Sequence, residues 1–291
     1  MSRIEEVLEK AAGIRESVKG AAARETVSAD LGISHVVFEI TKPVVKPDRA
    51  NSHLICIKDP DPLFAEQYKK LRARILRLTA EKFLNTLMVT SAGMGEGKTI
   101  TAINLAISIA SEIDHTVLLV DADFRRPSIH KYLGIETEYG LSDCLTGKAE
   151  LSDVMIKTGI GKLVFLPAGN ALGNATELLS SERMKMLVKE MKQRYKDRYI
   201  IFDTSPLLLT SDAIPLSNYI DGVLLVIQAS RTTPKAASQA VSQIKGSNIL
   251  GVVFNNVPKY LAANLYPYYH LCQKKGYYQR DQDSKESENN K

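Results

Sequence analysis

The sequence holds no apolar run long enough to cross a bilayer, and no signal-peptide pattern opens it. The expectation is a cytoplasmic protein without a direct membrane span, any membrane attachment coming through a partner. Cysteine is scarce. Cys56, Cys144 and Cys272 stand far apart, without the spacing of a metal site or a disulfide framework. That usage fits a reducing compartment. Charge of one sign is scarce too: 38 Lys and Arg against 33 Asp and Glu leave a net +5. So mild a balance does not argue for nucleic acid as a partner. Internal repeats are absent. What remains is an ordinary globular composition, 44% apolar and 24% charged over 291 residues, enough to bury one sizeable core.

Organisation changes along the chain. Ile4, Val7, Leu8, Ala11, Ile14 and Val18 share one helical stripe. The opposite face mixes Glu5, Glu6 and Glu9 with Arg15 and Lys19, whereas a helix for anionic lipid would be mostly basic. Residues 1–20 therefore read as a partner-binding or self-packing helix. Residues 21–62 read as linker, with breaks at Thr41–Asp48 and at Asp59-Pro60-Asp61-Pro62. A basic helix is expected over Leu63–Thr79. From there apolar runs alternate with helical patterns. Strands are predicted at 86–91, 117–121, 163–167, 199–203, 222–228 and 249–254. Helices are predicted at 98–112, 181–195 and 234–245, with shorter ones at 141–146 and 212–218. Apolar strands separated by helices imply an α/β fold, a doubly wound, mostly parallel sheet with helices on both faces. The folded domain is expected over 63–258. Residues 259–291 are expected to form a polar, flexible tail.

Residues 91–99 read Ser-Ala-Gly-Met-Gly-Glu-Gly-Lys-Thr, between the strand at Thr86 and the helix from Ile100. Strand, glycine-rich loop, Lys-Thr and helix form the context of a phosphate-binding P-loop, although Ala92 replaces the usual first glycine. The candidate nucleotide contacts are Gly93, Met94, Gly95, Glu96, Gly97, Lys98, Thr99 and Ile100. Glycines let backbone N–H groups turn onto phosphate oxygens, and the helix aims its positive end at the same anion. Lys98 would place charge near the β/γ-phosphates, and the Thr99 hydroxyl would hold Mg²⁺.

Two further strands end in acids. Val117–Val120 runs into Asp121-Ala122-Asp123-Phe124-Arg125, and Tyr199–Phe202 runs into Asp203-Thr204-Ser205-Pro206. Ligands of open parallel sheets sit beyond the carboxyl ends of the strands. Mg²⁺ keeps several waters, so one or two carboxylates beside the phosphates suffice. Asp203 fits the metal-associated acid; of Asp121 and Asp123, one can touch metal or metal-bound water while the other accepts a proton.

Six of the twelve tyrosines fall in the last stretch: Tyr260, Tyr266, Tyr268, Tyr269, Tyr277 and Tyr278. They lie beyond the last core strand, among Pro267, Lys274, Lys275 and Arg280. They read either as aromatics packing on the domain or a partner, or as phosphoryl acceptors. Tyr266 to Tyr278 lie 11 to 23 residues past Asn255. Fully extended, that tail spans roughly 35–80 Å, enough to enter a neighbouring subunit's site.

Together these features resemble the bacterial tyrosine kinases that regulate capsule and exopolysaccharide export, a family unrelated in fold to eukaryotic protein kinases. Its P-loop corresponds to Ser91–Thr99, its D-x-D-x-R motif to Asp121–Arg125, its third motif to Ile200–Pro206 and its tyrosine-rich terminus to Tyr260–Tyr278. Four features in order make the resemblance specific over roughly residues 60–280. Met94 stands where the family loop often carries proline, and Ser205 where its third motif often carries a first proline. Met1–Ala12 further looks like the autokinases of exosortase-associated exopolysaccharide clusters. The family's E-x-x-R-x-x-R helix for ring assembly is matched by Glu66, Lys69 and Arg72, with Lys for the middle Arg.

The resemblance implies a P-loop NTPase-type fold and an ATP- and Mg²⁺-dependent autokinase acting in trans within a ring-like homo-oligomer. Lys98, Asp121, Asp123 and Asp203 are then the catalytic set, with Asp121 accepting the phenol proton. Asn255 resembles the strand-end Asn that contacts adenine in related ATPases. A membrane-embedded polysaccharide co-polymerase or activator is the implied partner. Two alternatives stay open. One is a switch ATPase of the partitioning and division-positioning type, which carries a lysine where Gly93 stands. The other is an ATP-binding regulatory subunit of a co-polymerase.

Overall fold

The computed structural model describes Leu54, Cys56 and residues 62–170, 174–194 and 197–258. The expected helix at 1–20, most of the expected linker and the tyrosine-bearing tail lie outside the described residues. The elements, in chain order, are α1 (Pro62–Thr79), β1 (Thr86–Ser91), α2 (Lys98–Ala110), β2 (Thr116–Asp121), α3 (Ile129–Leu133), α4 (Leu141–Thr146), α5 (Leu151–Val154), β3 (Ile156–Lys157), β4 (Leu163–Leu166), α6 (Ala175–Leu179), α7 (Glu182–Arg194), β5 (Arg198–Asp203), α8 (Ala213–Ser217), β6 (Gly222–Gln228), α9 (Pro234–Gln243) and β7 (Ile249–Asn255).

The strands form one sheet in the order β3-β4-β2-β5-β1-β6-β7. Every neighbouring pair is parallel except β3 with β4. The central strands are apolar on both faces because both faces are covered. Met88, Val120, Phe202 and Leu225 pack into one core, closed by Met184, Val188 and Met191 of α7. The intervening Val89, Leu119, Ile201 and Leu224 pack into a second, filled by Ala102, Ile103, Ala106 and Ile109 of α2. This is the doubly wound arrangement read from the sequence. It also explains why α2 is buried almost all round: the sheet covers one side of it and α1 packs on another.

The expected strands all form, with ends within one residue of their predicted positions. The expected helices form with ends within two residues of their predicted positions, α2 stopping at Ala110 and α9 at Gln243. Four elements, α3, α5, β3 and α6, were not expected. Each has two to five residues, too few to display a period.

At the opposite end of the sheet from the site, Asp221 ties three elements together. Its carboxylate accepts the Thr86 N–H (3.1 Å) and hydroxyl (2.8 Å) and pairs with Lys192 of α7. Burial would raise its pKa, but the Lys192 and Thr86 contacts outweigh burial and lower it. A depressed carboxylate pKa contributes stability above the unfolded value of about 4, lost as pH falls through the folded value. Asp221→Asn should therefore cost about 1–3 kcal/mol at pH 7. Thermal melts should show that gap to wild type narrowing as pH falls below about 4.

Candidate active site

The three site-bearing strands, β2, β5 and β1, are adjacent in the sheet. Register alone pairs Asp121 with Asp203 and Val89 with Asp203. The carboxyl ends of the three strands thus converge below the loop that joins β1 to α2.

That loop needs its glycines at two places. Gly95 (φ 74°) and Gly97 (φ 92°) are left-handed. A Cβ on Gly97 would lie 2.0 Å from Asn255 Nδ2. Gly97 is also the N-cap of α2, and no side chain caps that end. The first-turn N–H groups therefore have no intrahelical or side-chain acceptor, and the helix presents them as an anion site. Gly93 differs from the other loop residues. Its N–H donates to Glu96 Oε2 at 3.0 Å, so this amide is already committed within the loop. Met94 projects into solvent.

Lys98 Nζ lies 2.9 Å from Asp123 Oδ2, 3.4 Å from Asp203 Oδ1 and 3.1 Å from Thr99 Oγ1. Burial disfavours its charge, yet the Asp203 and Asp123 carboxylates more than offset burial and raise its pKa. Asp203 is fully buried, and burial pushes its pKa up against the pull of Lys98 and Thr99. Asp121 is fully buried too. Burial first, and the Asp203 charge second, push it up to about 8, against the Ile129 N–H and Lys98. Its Oδ2 accepts the Ser128 and Ile129 N–H groups at 3.1 and 3.2 Å, and its Oδ1 accepts the Asp123 N–H at 3.3 Å. Asp121 thus also pins the start of α3.

A divalent cation fits this donor set. Asp203 Oδ2 is buried without any hydrogen-bond partner, although buried carboxylate oxygens are normally satisfied. Among the described residues no group of three or more His, Cys, Asp or Glu forms a protein cage for a metal. Mg²⁺ needs no such cage, because water and phosphate oxygens complete its shell.

Asn255 ends β7 and donates from Nδ2 to the Glu96 carbonyl at 2.9 Å, beside the loop. Ile100 sits in the first turn of α2. The expected oligomerisation residues lie elsewhere, on α1. Glu66 and Lys69 face each other at 3.8 Å on an exposed surface. Arg72 is bound within its own chain, 2.9 Å from Glu112 and 2.8 Å from the Ser108 carbonyl. Two site contacts join motif residues to partners that carried no sequence signal, Asp212 and Thr232. Arg125 Nε and Nη2 donate to Asp212 at 2.6 and 3.1 Å, joining the loop after β2 to the loop after β5. Burial would raise the Asp212 pKa, but Arg125 and Thr176 hold it down. The second is Thr232, whose hydroxyl donates to Glu96 Oε1.

The loop, the helix end and the acids at parallel strand ends define a nucleotide-binding P-loop domain. The chain matches the AAA domain family over residues 85–248. It is 35% identical over 209 residues to the tyrosine-protein kinase YwqD of Bacillus subtilis, covering 71% of this chain and 87% of that protein. It is 33% identical over 220 residues to the tyrosine-protein kinase etk of Escherichia coli K12, covering 75% of this chain but only 30% of that longer protein. The solved kinase domain of Escherichia coli ETK superposes with a TM-score of 0.67 at 32% identity, covering 72% of this chain and 82% of that one. The chain belongs to the bacterial tyrosine-protein kinases. It is a protein-tyrosine kinase, and the non-kinase switch ATPase is set aside. No helix among the described residues is long and apolar enough to cross a membrane.

Proposed function

We propose that this chain is an autokinase that transfers the γ-phosphoryl group of ATP, with Mg²⁺, to Tyr260, Tyr266, Tyr268, Tyr269, Tyr277 and Tyr278 on a neighbouring copy. The observation that carries this reading is Lys98 held between Asp123 and Asp203 at adjacent strand ends, beside an unpartnered Asp203 oxygen. Residues 63–258 are the kinase domain and 259–291 the acceptor tail.

In this reading the N–H groups of Gly95, Gly97 and Lys98 hold phosphate oxygens, and Asn255 lies toward the adenine. Thr99, Asp121 and Asp203 hold Mg²⁺ directly or through water; Mg²⁺ supplies neutralisation of phosphate charge. Lys98 stabilises charge on the transferring group. The phenol oxygen forms a bond to the γ-phosphorus as the bond to the ADP oxygen breaks, and the phenol proton passes to Asp121.

The exposed Glu66 and Lys69 leave α1 a face for assembly of copies into a ring. Each phosphotyrosine adds up to two negative charges. Several on one tail repel one another and the acidic site, which releases the tail and loosens the ring. Capsule or exopolysaccharide export is the process regulated, through a membrane-embedded co-polymerase that residues 1–20 engage at the inner membrane. The exosortase-associated subgroup rests on Met1–Ala12, outside the described residues. The test is phosphotyrosine mapping by mass spectrometry on the purified full chain. Mg-ATP should modify tyrosines within 260–278, and chelation of Mg²⁺ should prevent it. Phosphate confined to other tyrosines would overturn the reading.

A further inference from the structure

Glu96 stands inside an anion-binding loop, where a carboxylate has the wrong charge for the ligand. It is only 5% exposed. Three contacts account for it. Oε2 accepts the Gly93 N–H at 3.0 Å, Oε1 accepts the Thr232 hydroxyl, and its carbonyl accepts Asn255 Nδ2 at 2.9 Å. Thr232 is itself fixed, because its Oγ1 accepts the Gln228 N–H at 2.9 Å. Thr232 belongs to the connection between β6 and α9, outside every nucleotide motif of the sequence. The same connection carries Ser230 in a left-handed conformation (φ 60°). It also carries Arg231, whose Nη1 donates to Gln228 Oε1 at 3.2 Å and lies 3.0 Å from the Cβ position of Gly95.

From this we infer that Thr232 and Glu96 form a latch that holds the phosphate loop in its nucleotide-accepting shape from outside. Both are positioning residues, and the inference rests on the nucleotide reading above. A loop with glycines at 93, 95 and 97 loses much conformational freedom when it closes on phosphates. Ordering it before the ligand arrives lowers the cost of binding. Glu96 acts through its hydrogen bonds, and its charge opposes the triphosphate. Losing the latch therefore weakens the ground state and the transition state alike, which raises KM and leaves kcat unchanged.

The experiment measures Mg-ATP binding to the full chain by calorimetry, alongside the phosphorylation rate at saturating ATP. Thr232→Val keeps the shape and removes the hydroxyl. It removes the hydrogen bond to the charged Glu96 and the acceptor of the Gln228 N–H, and should weaken Kd about tenfold with an unchanged saturating rate. Thr232→Ser should bind as wild type. Glu96→Gln keeps an acceptor for Gly93 and offers a donor to Thr232, and should bind as tightly as wild type or more so. Glu96→Ala combined with Thr232→Val should bind no more weakly than Glu96→Ala alone. A wild-type Kd for Thr232→Val, or Glu96→Gln as weak as Glu96→Ala, overturns the latch. Wild-type protein that does not bind Mg-ATP overturns the functional reading itself, and the latch with it.

Discussion

Lys98→Met abolishes phosphotyrosine formation, lowering the rate by about a thousandfold or more. The ammonium does two things at once. It meets the developing charge on the transferring phosphoryl group. It also neutralises Asp123 and Asp203, at 2.9 and 3.4 Å. Methionine leaves two buried carboxylates without a counter-ion, and Asp203, whose pKa burial already raises, answers by taking up a proton. A protonated Asp203 cannot hold Mg²⁺, so the metal function goes with the lysine. Arginine does not rescue the loss. Its planar fork is wider than a point charge seated between two acids and the Thr99 hydroxyl. Radiolabelled phosphate transfer by the purified variant, with its melting temperature recorded in parallel, checks this. Activity within tenfold of wild type would remove Lys98 from the site.

Gly97→Ala is the second large effect, and its cause is steric. The backbone there is left-handed at φ 92°, and the added methyl would stand 2.0 Å from Asn255 Nδ2. Strain at such a position costs on the order of 1–3 kcal/mol. The clash adds to it by displacing Asn255 from the Glu96 carbonyl. Because Gly97 caps α2, any adjustment also tilts the N–H groups that face the phosphates. Nucleotide affinity should fall by about a hundredfold, the equivalent of some 3 kcal/mol. Gly93→Ala is the control. Gly93 does not have a positive φ, and its Cβ position meets nothing nearer than Glu96 Oε1 at 3.5 Å. Its loss in affinity should stay within about tenfold. Calorimetric binding of ATP to both variants checks the pair, and equal losses would contradict the steric account.

Much of this was legible in the sequence. The central strands announced themselves because a sheet covered on both faces requires continuous apolar runs, as in Leu87–Val89 and Ile200–Phe202. The acids of the site were legible because each directly follows such a run. Parallel pairing then brings strand ends together, so Asp121 and Asp203 meet without any local signal linking them. What stayed hidden depends on pairings between distant loops. Arg125 lies 87 residues from Asp212, and Glu96 lies 136 residues from Thr232. Neither distance has a period, and although Arg125 and Glu96 lie in motifs, nothing in those motifs names Asp212 or Thr232 as the partner. Arg72 shows the converse. Its spacing on α1 matches an assembly pattern, while its guanidinium is held by Glu112 and Ser108 of the same chain. Helical spacing shows which residues share a face and leaves open what that face meets. Gly93 makes the same point within the phosphate loop: its position fits a phosphate contact, and its N–H is used by Glu96.

Transfer between two molecules is tested most directly by mixing two forms of the chain with Mg-ATP. The donor keeps Lys98 and ends before residue 259. The acceptor carries Lys98→Met and keeps the full tail. Neither form alone should gain phosphotyrosine. In the mixture, phosphate should accumulate on the acceptor between Tyr260 and Tyr278, at a rate that rises with donor concentration. An acceptor that stays unmodified beside a donor able to bind Mg-ATP, or one that gains the same phosphate without the donor, would contradict the account.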